Sequence, residues 1–324
     1  MRTIAIAAGG DSSEFEISVK SAREVEKLLS SHYKVYIIMI RGTDWYWEDQ
    51  KGRYHKIDKN DFSLTVDDFR IRFDAVFVAI HGTPGENGLL QGYLDIMKIP
   101  YTSCSAFCSA LTFNKQACKL YLKEYGIPMA KNILVKRGNL PAYSEIAELT
   151  GLPCFVKPND SGSSFGVSKV KTAGELPAAI EAAFKESDEV MIESFMKGRE
   201  VACGVVKVKG KSVVLPVTEI ISRNEFFDYE AKYTPGKSDE ITPADMPAVI
   251  TEKIQELSSE IYDILGCKGI VRVDFIVVDD RPFFLEINTV PGMTEESLIP
   301  KQAKAAGIDL SSLYSMVIED LFSK

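Results

Sequence analysis

The chain has 324 residues, 45% of them apolar, with 26% charged residues spread without long like-charged blocks and a formal charge of −8. That is apolar material for two or three real cores, and it lacks the basic footprint that a phosphate backbone requires, which excludes nucleic acid as a partner. Six cysteines without a CxxC pair read as core thiols, the opening MRTIAIAAGG is too short for a signal segment, and no uninterrupted apolar run reaches about eighteen residues, so the expectation is a cytoplasmic protein with no membrane partner.

In chain order, Thr3 to Ala8 is a buried-strand run, and Ser18 to Leu29 spaces Val19, Ala22, Val25, Leu28 and Leu29 as one helix face. Tyr33 to Ile40 and Asp74 to Ile80 are further strands, a βαβ pattern that predicts a parallel sheet. DWYWEDQKGRYHKI (44–57) reads as a hairpin inserted into it, and Pro100 closes the unit. A second unit starts near residue 103 with one helical stretch, Ser105 to Tyr125, stopped by Gly126-Ile127-Pro128. Strands follow at Asn132 to Val135, Cys154 to Lys157 and Val167 to Val170, then a helix from Gly174 to Glu186. The third unit holds a hairpin from Glu200 to Ile221, a polar stretch from Ser222 to Pro243, a helix ending at Leu265, and GIVRVDFIVVDDRPFFLEINTVPG. The polar stretch is a lid or a disordered linker; the four aromatics of NEFFDYEAKY favour the lid. The predicted boundaries are 1–102, 103–192 and 193–324.

Two stretches carry chemistry. FVKPNDSGSSFGVSKV (155–170) puts Lys157 at the end of an apolar run, then small and polar residues, then a second strand. Glycine there lets backbone N–H groups fold over a polyphosphate beside the lysine charge. Neither GxxxxGK[ST] nor GxGxxG opening a helix is present, and a plain hairpin loop is the commoner use of such a turn. In RVDFIVVDDRPFFLEIN, Arg272 and Asp274 share one strand face, as do Glu286 and Asn288. A three-residue loop centred on Asp280 would set Asp274 opposite Glu286 and Arg272 opposite Asn288, with paired Cβ atoms about 4.5–5.5 Å apart. A two-residue turn would slip that register by one. Two carboxylates and an amide converging inside a covered sheet form a hard-oxygen set of the kind Mg²⁺ takes beside nucleotide phosphates; the alternative is an exposed polar face beside a salt bridge.

With these motifs the sequence resembles the ATP-grasp carboxylate–amine ligases and, within them, the D-alanine–D-alanine ligases. AAGGDSSEFEIS, HGTPGENGLLQG, FVKPNDSGSSFGVSKV, NEFFDYEAKY, and VRVDF with FLEINTVPGMTEESLIP occur in that family's order along nearly the whole chain. The resemblance implies an ATP-grasp α/β fold: a Rossmann-like parallel-sheet first domain and two α+β subdomains that clamp ATP. It implies ATP as co-substrate, two Mg²⁺ or Mn²⁺ ions, two D-alanines and a homodimer paired through the first unit. By the same resemblance Lys115 and Lys157 bind phosphates, Ser163 and Ser164 lie in the phosphate loop, Glu193, Phe195 and Met196 hold adenine, and Glu200 grips ribose. Asp274, Glu286 and Asn288 are the metal ligands, with Glu286 bridging. Glu16 pairs with the first D-alanine's ammonium, with Ser163 and Tyr233 as its hydroxyl partners, while Lys232 closes over the γ-phosphate. Arg272 and the Gly292 N–H are oxyanion donors, and Ser297 with the Leu298 amide cradles the second carboxylate. Read without the resemblance, Lys115 is a solvated lysine and Phe195 and Met196 are core residues. His81 is either a hydrogen-bonded imidazole after a strand or a group that orients the first substrate. Tyr233 points to an amide product, since makers of D-alanyl-D-lactate usually lack that tyrosine. A different carboxylate–amine or ester ligase, and a non-catalytic ATP-binding module, remain as alternatives.

Overall fold

Thr3–Gly9 forms β1, buried almost throughout, as an unbroken apolar run requires of a strand covered on both faces. It belongs to a computed structural model that describes residues 1–160, 162, 165–222 and 238–323. β1 pairs in parallel with β2 (Lys34–Arg41) on one side and β7 (Ala75–Val78) on the other, while α1 (Phe15–Leu29) crosses between β1 and β2 and buries Ala22, Val25 and Leu29. From β2 outward the sheet is an antiparallel meander of β3 (Asp44–Glu48), β4 (Tyr54–Asp58), β5 (Ser63–Val66) and β6 (Phe69–Ile71), ordered β6-β5-β4-β3-β2-β1-β7. The parallel expectation therefore fits only the three strands β2, β1 and β7. The rest is antiparallel because its connections are too short for crossovers.

After α2 (Leu89–Met97), the helical stretch expected from Ser105 to Tyr125 divides into α3 (Ala106–Phe113) and α4 (Lys115–Lys123). Asn114 makes the break: its backbone is extended, and its side chain accepts the Ala117 N–H at 2.8 Å. Lys115 thereby becomes the first residue of a helix.

The second sheet is wholly antiparallel, in the order β10-β9-β11-β8, from β8 (Asn132–Lys136), β9 (Cys154–Pro158), β10 (Ser168–Val170) and β11 (Glu189–Ser194). α5 (Tyr143–Thr150) and α6 (Leu176–Ala183) supply Ile146, Ile180 and Ala183 to its core. The third sheet runs β15-β14-β12-β16-β17 with β13 on β12: β12 (Arg199–Val208), β13 (Lys211–Val214), β14 (Thr218–Ser222), β15 (Ser238–Ile241), β16 (Ile270–Val278) and β17 (Arg281–Asn288). β15 lies within the polar stretch read as irregular; it pairs with β14. α7 (Ala248–Ile264) covers this sheet, followed by α8 (Leu298–Ala305) and α9 (Leu310–Asp320).

α9 completes the core of the first sheet: Leu313, Tyr314, Val317 and Ile318 share one buried cluster with Ile4, Ile6, Val25, Leu29 and Phe77. The Tyr314 and Phe77 rings meet edge to face at 5.6 Å, and the Tyr33 hydroxyl donates to Glu319 Oε1 at 2.8 Å. Among the described residues no helix is long and apolar enough to cross a membrane.

Candidate active site

A cleft of about 1190 Å³ opens between the sheets, and β16 and β17 form one wall. Asp279 and Asp280 both have positive φ, 47° and 60°, so a two-residue turn joins the strands in place of the three-residue loop expected. Pairing runs from Val278 with Arg281 to Phe275 with Phe284, then shifts by one, so that Asp274 faces Glu286 and Arg272 faces Asn288. The extra residue is Leu285. Phe284 and Ile287 both enter the core, leaving Leu285 and Glu286 side by side on the cleft wall. A two-residue turn alone would scatter the four polar residues; the bulge restores the pairing.

Arg272 donates from Nε and Nη2 to the two Asp274 oxygens, both at 2.7 Å, and Asn288 Nδ2 donates to Asp274 Oδ2 at 3.0 Å. Asp274 is 4% exposed, so this bidentate pair fixes a buried carboxylate in one plane. The Asn288 bond uses the amide NH₂ and keeps its Oδ1 as the oxygen donor for a cation.

Opposite this wall, β9 carries Lys157 one residue before its end, and the Lys157 Nζ lies 2.5 Å from Glu193 Oε2, its diagonal neighbour on β11. Lys119, on α4 and 2% exposed, reaches the other Glu193 oxygen at 2.6 Å. Burial alone would raise the Glu193 pKa, but the two ammonium groups outweigh it and hold the carboxyl below its ordinary value. Asn159, fully buried, accepts the Lys115 N–H on its carbonyl at 3.1 Å and the Gln116 N–H on its side chain at 2.9 Å, which ties the start of α4 to the end of β9. Lys115 and Lys157 both line the cleft as a result. Phe195, Met196 and Glu200 line it as well; Phe155 and Phe195 rings sit 6.0 Å apart, and Lys169 Nζ stands 4.1 Å over Phe195.

At the other end His81 is 5% exposed and bonded at both ring nitrogens: Nδ1 to the Val290 carbonyl at 2.8 Å and Nε2 to Ser21 Oγ at 3.2 Å. The carbonyl can only accept, so Nδ1 carries the proton; Ser21 donates to Nε2 while its oxygen accepts the Met293 N–H at 3.3 Å. Burial holds the His81 pKa below the usual imidazole value, which keeps the ring neutral. Glu86 accepts the Gly82 N–H at 2.7 Å and the Val290 N–H at 3.2 Å, and burial, with the Glu14 charge adding, pushes its pKa up to about 7. Gly292 packs closely on Ser297: a Cβ would lie 2.6 Å from Ser297 Oγ, so a larger residue would have to displace that hydroxyl. Ser297 precedes the first turn of α8, and its hydroxyl bonds Thr294 Oγ1 at 2.7 Å without capping the helix; Leu298 is the first helical residue, and all of these line the cleft.

Two family models match the chain, "D-ala D-ala ligase N-terminus" over residues 3–104 and "D-ala D-ala ligase C-terminus" over 121–319. The chain belongs to the D-alanine–D-alanine ligase family. A D-alanine–D-alanine ligase of Phocaeicola vulgatus is 50% identical over 323 residues, 99% of each chain. Among solved structures, D-alanyl-alanine synthetase A of Vibrio cholerae matches with a TM-score of 0.89 at 29% identity, covering 99% of each chain. The Bacillus anthracis D-alanine–D-alanine ligase complexed with ATP matches with a TM-score of 0.78 at 31% identity, covering 99% of this chain and 98% of the other.

On this ligase scaffold the two glutamates at the start of α1 are placed differently. Glu16 is exposed and does not line the cleft, whereas Glu14 does, with its Oε2 3.0 Å from where a Cβ of Gly162 would stand. The chain enters α1 at Phe15, and residues two apart on a helix point about 200° apart, so Glu16 faces away. Glu14, Ile17 and Ser21 follow one face at helical spacing, a signal that identifies Glu14 from sequence. Glu86, Lys119 and Asn159 also went unread, because each acts through partners distant in the chain. Ser163, Ser164, Lys232 and Tyr233 lie outside the described residues.

Proposed function

We propose that this chain is an ATP-dependent D-alanine–D-alanine ligase that makes D-alanyl-D-alanine for peptidoglycan precursors, through an acyl phosphate and a tetrahedral intermediate, releasing ADP and phosphate. The observation that carries the reading is the β16–β17 pairing, which sets Asp274 against Glu286 and Arg272 against Asn288, with Arg272, Glu286 and Asn288 on the cleft wall and Asp274 buried directly behind them. Two facing carboxylates and an amide oxygen, one carboxylate buried, fit a hard divalent cation. Two Mg²⁺ or Mn²⁺ ions held by Asp274, Glu286 and Asn288 would neutralise the charge that moves with the γ-phosphoryl group.

The chain's own residues divide the remaining work. Phe195, Met196, Leu285 and the doubly paired Glu193 form the adenine end, Glu200 takes ribose, and Lys115 and Lys157 place positive charge along the phosphates. Glu14, not Glu16, takes the first D-alanine's ammonium, and the neutral His81 beside it orients that substrate. A carboxylate is a poor electrophile; once phosphorylated it has a good leaving group, and the second D-alanine's amine attacks it. Arg272 and the Gly292 N–H then face the oxyanion, while Ser297 and the Leu298 amide, at the N-terminus of α8, hold the second carboxylate. Ser163 and Tyr233 as hydroxyl partners of the first substrate, Ser164 in the phosphate loop and Lys232 over the γ-phosphate are assigned from the family resemblance, and Tyr233 favours an amide product.

The same reading makes 1–102, 103–192 and 193–324 the working units, places the enzyme in the cytoplasm with its ATP, and makes it a homodimer paired through the first unit. Support for the dimer comes from Leu89 and Ile96, 63% and 76% exposed and seven residues apart on α2. The deciding experiment is phosphate release from ATP across D- and L-amino acids and hydroxy acids. D-alanine alone should trigger it; release with L-amino acids or with no acceptor would reject the ligase reading.

A further inference from the structure

Three of the six cysteines, scattered from position 104 to 267 in the sequence, meet in space. Cys104 precedes α3, Cys108 stands on its first turn, and Cys267 lies between α7 and β16. Cys108 Sγ is 3.8 Å from Cys267 Sγ, and all three sulfurs lie within 4.8 Å of one another. They are 0%, 1% and 7% exposed. The Lys268 backbone meets Cys104 Sγ on two sides, its N–H donating to the sulfur at 3.4 Å and its carbonyl accepting the thiol proton at 3.4 Å; the N–H bond is of the second-layer kind that orients a sulfur ligand. The sequence alone read these thiols as ordinary core residues, and packing would be served as well by alanine or valine. What packing does not call for is the convergence of three sulfurs within 4.8 Å of one another, with a backbone N–H aimed at one of them.

We propose that Cys104, Cys108 and Cys267 form a three-sulfur site for a single thiophilic d¹⁰ metal ion. A triangle of sulfurs with sides between 3.8 and 4.8 Å has its centre about 2.2 to 2.8 Å from each corner, a range that includes the metal–thiolate bond of about 2.3 Å. Sulfur ligands select soft ions, and the group contains no histidine or carboxylate among the described residues, so trigonal Cu(I) or Cd(II) suits it better than four-coordinate Zn(II). Each thiol that ligates gives its proton to solvent. The ion would tie α3, which leads into Lys115, to the segment that opens into Arg272 and Asp274, so the site adjoins the ligase machinery without sharing a residue with it.

The test is anaerobic titration of reduced, metal-free full-length protein with Cd(II), read by the sulfur-to-cadmium ultraviolet charge-transfer band and by native mass spectrometry. Oxygen ligands at Asp274 and Glu286 give no such band. One ion per chain should saturate it; Cys108→Ala and Cys267→Ala should each abolish it, and Cys118→Ala and Cys154→Ala should keep it. Should the first pair fail to fold, X-ray absorption on the wild-type complex decides, with three sulfur neighbours expected. No band, a band retained in Cys108→Ala, or fewer than three sulfur neighbours would overturn the proposal.

Discussion

Glu14 and Glu16 differ by two positions and by half a helical turn of direction, and only the first lines the cleft. Glu14→Gln should lower kcat/KM for D-alanine on the order of 10–100-fold, the worth of a hydrogen bond to a charged group, while Glu16→Gln stays within about twofold; steady-state kinetics with D-alanine varied distinguishes them. Glu86 predicts a pH effect. Its native pKa of about 7 exceeds the ordinary 4.5, so between those values the folded protein keeps a proton that the unfolded chain gives up. Stability from this group is therefore greatest below about pH 4.5, falls by up to about 3 kcal/mol as pH rises to about 7, and is flat above. Glu86→Gln should flatten that slope in urea unfolding curves across the window. At this scale the residue types and their neighbourhood were legible, since an acidic residue at the start of α1 and a histidine after a strand are local signals. The sequence hid what depends on direction or on remote partners: which of two glutamates faces in, and which carboxyl accepts the Val290 N–H.

For the elements, the β16–β17 hairpin is the instructive case. The period-two alternation of RVDF and LEIN shows which residues share a face, and the pairing of Asp274 with Glu286 was legible from it. The route to that pairing was not, because a two-residue turn and a bulge arrive at the same register as a three-residue loop. Since Leu285 is the surplus residue, deleting it should keep Asp274 opposite Glu286 and remove only an apolar stretch of the base-binding wall. The expected outcome is a KM for ATP raised roughly tenfold, matching about 1.4 kcal/mol of lost burial, with kcat at saturating ATP changed far less. A collapse of kcat would mean that the bulge itself aims Glu286. The break at Asn114 and the strands β5 and β6 escaped the sequence for a related reason: a cap and a three- or four-residue strand carry too few periods to register.

Across the whole molecule, the contacts that matter join distant parts of the chain, which local periodicity does not reveal. Lys119 and Lys157 meet on Glu193, and α9 packs under β1 and β7. Tyr314 is fully buried in that packing, and its hydroxyl has no protein partner among the described residues. Tyr314→Ala should cost about 3–5 kcal/mol, the range for emptying a large aromatic site, whereas Tyr314→Phe should leave stability unchanged or raise it by about 1 kcal/mol; chemical denaturation of the two variants tests this. The β1–α1 layer also has a bearing on biosynthesis. Its hydrophobic underside stays incompletely covered on the ribosome until residues 310–320 emerge, so the opening segment should acquire its full slow amide exchange only once that helix has left the tunnel, and nascent chains stalled before α9 should remain sensitive to protease there.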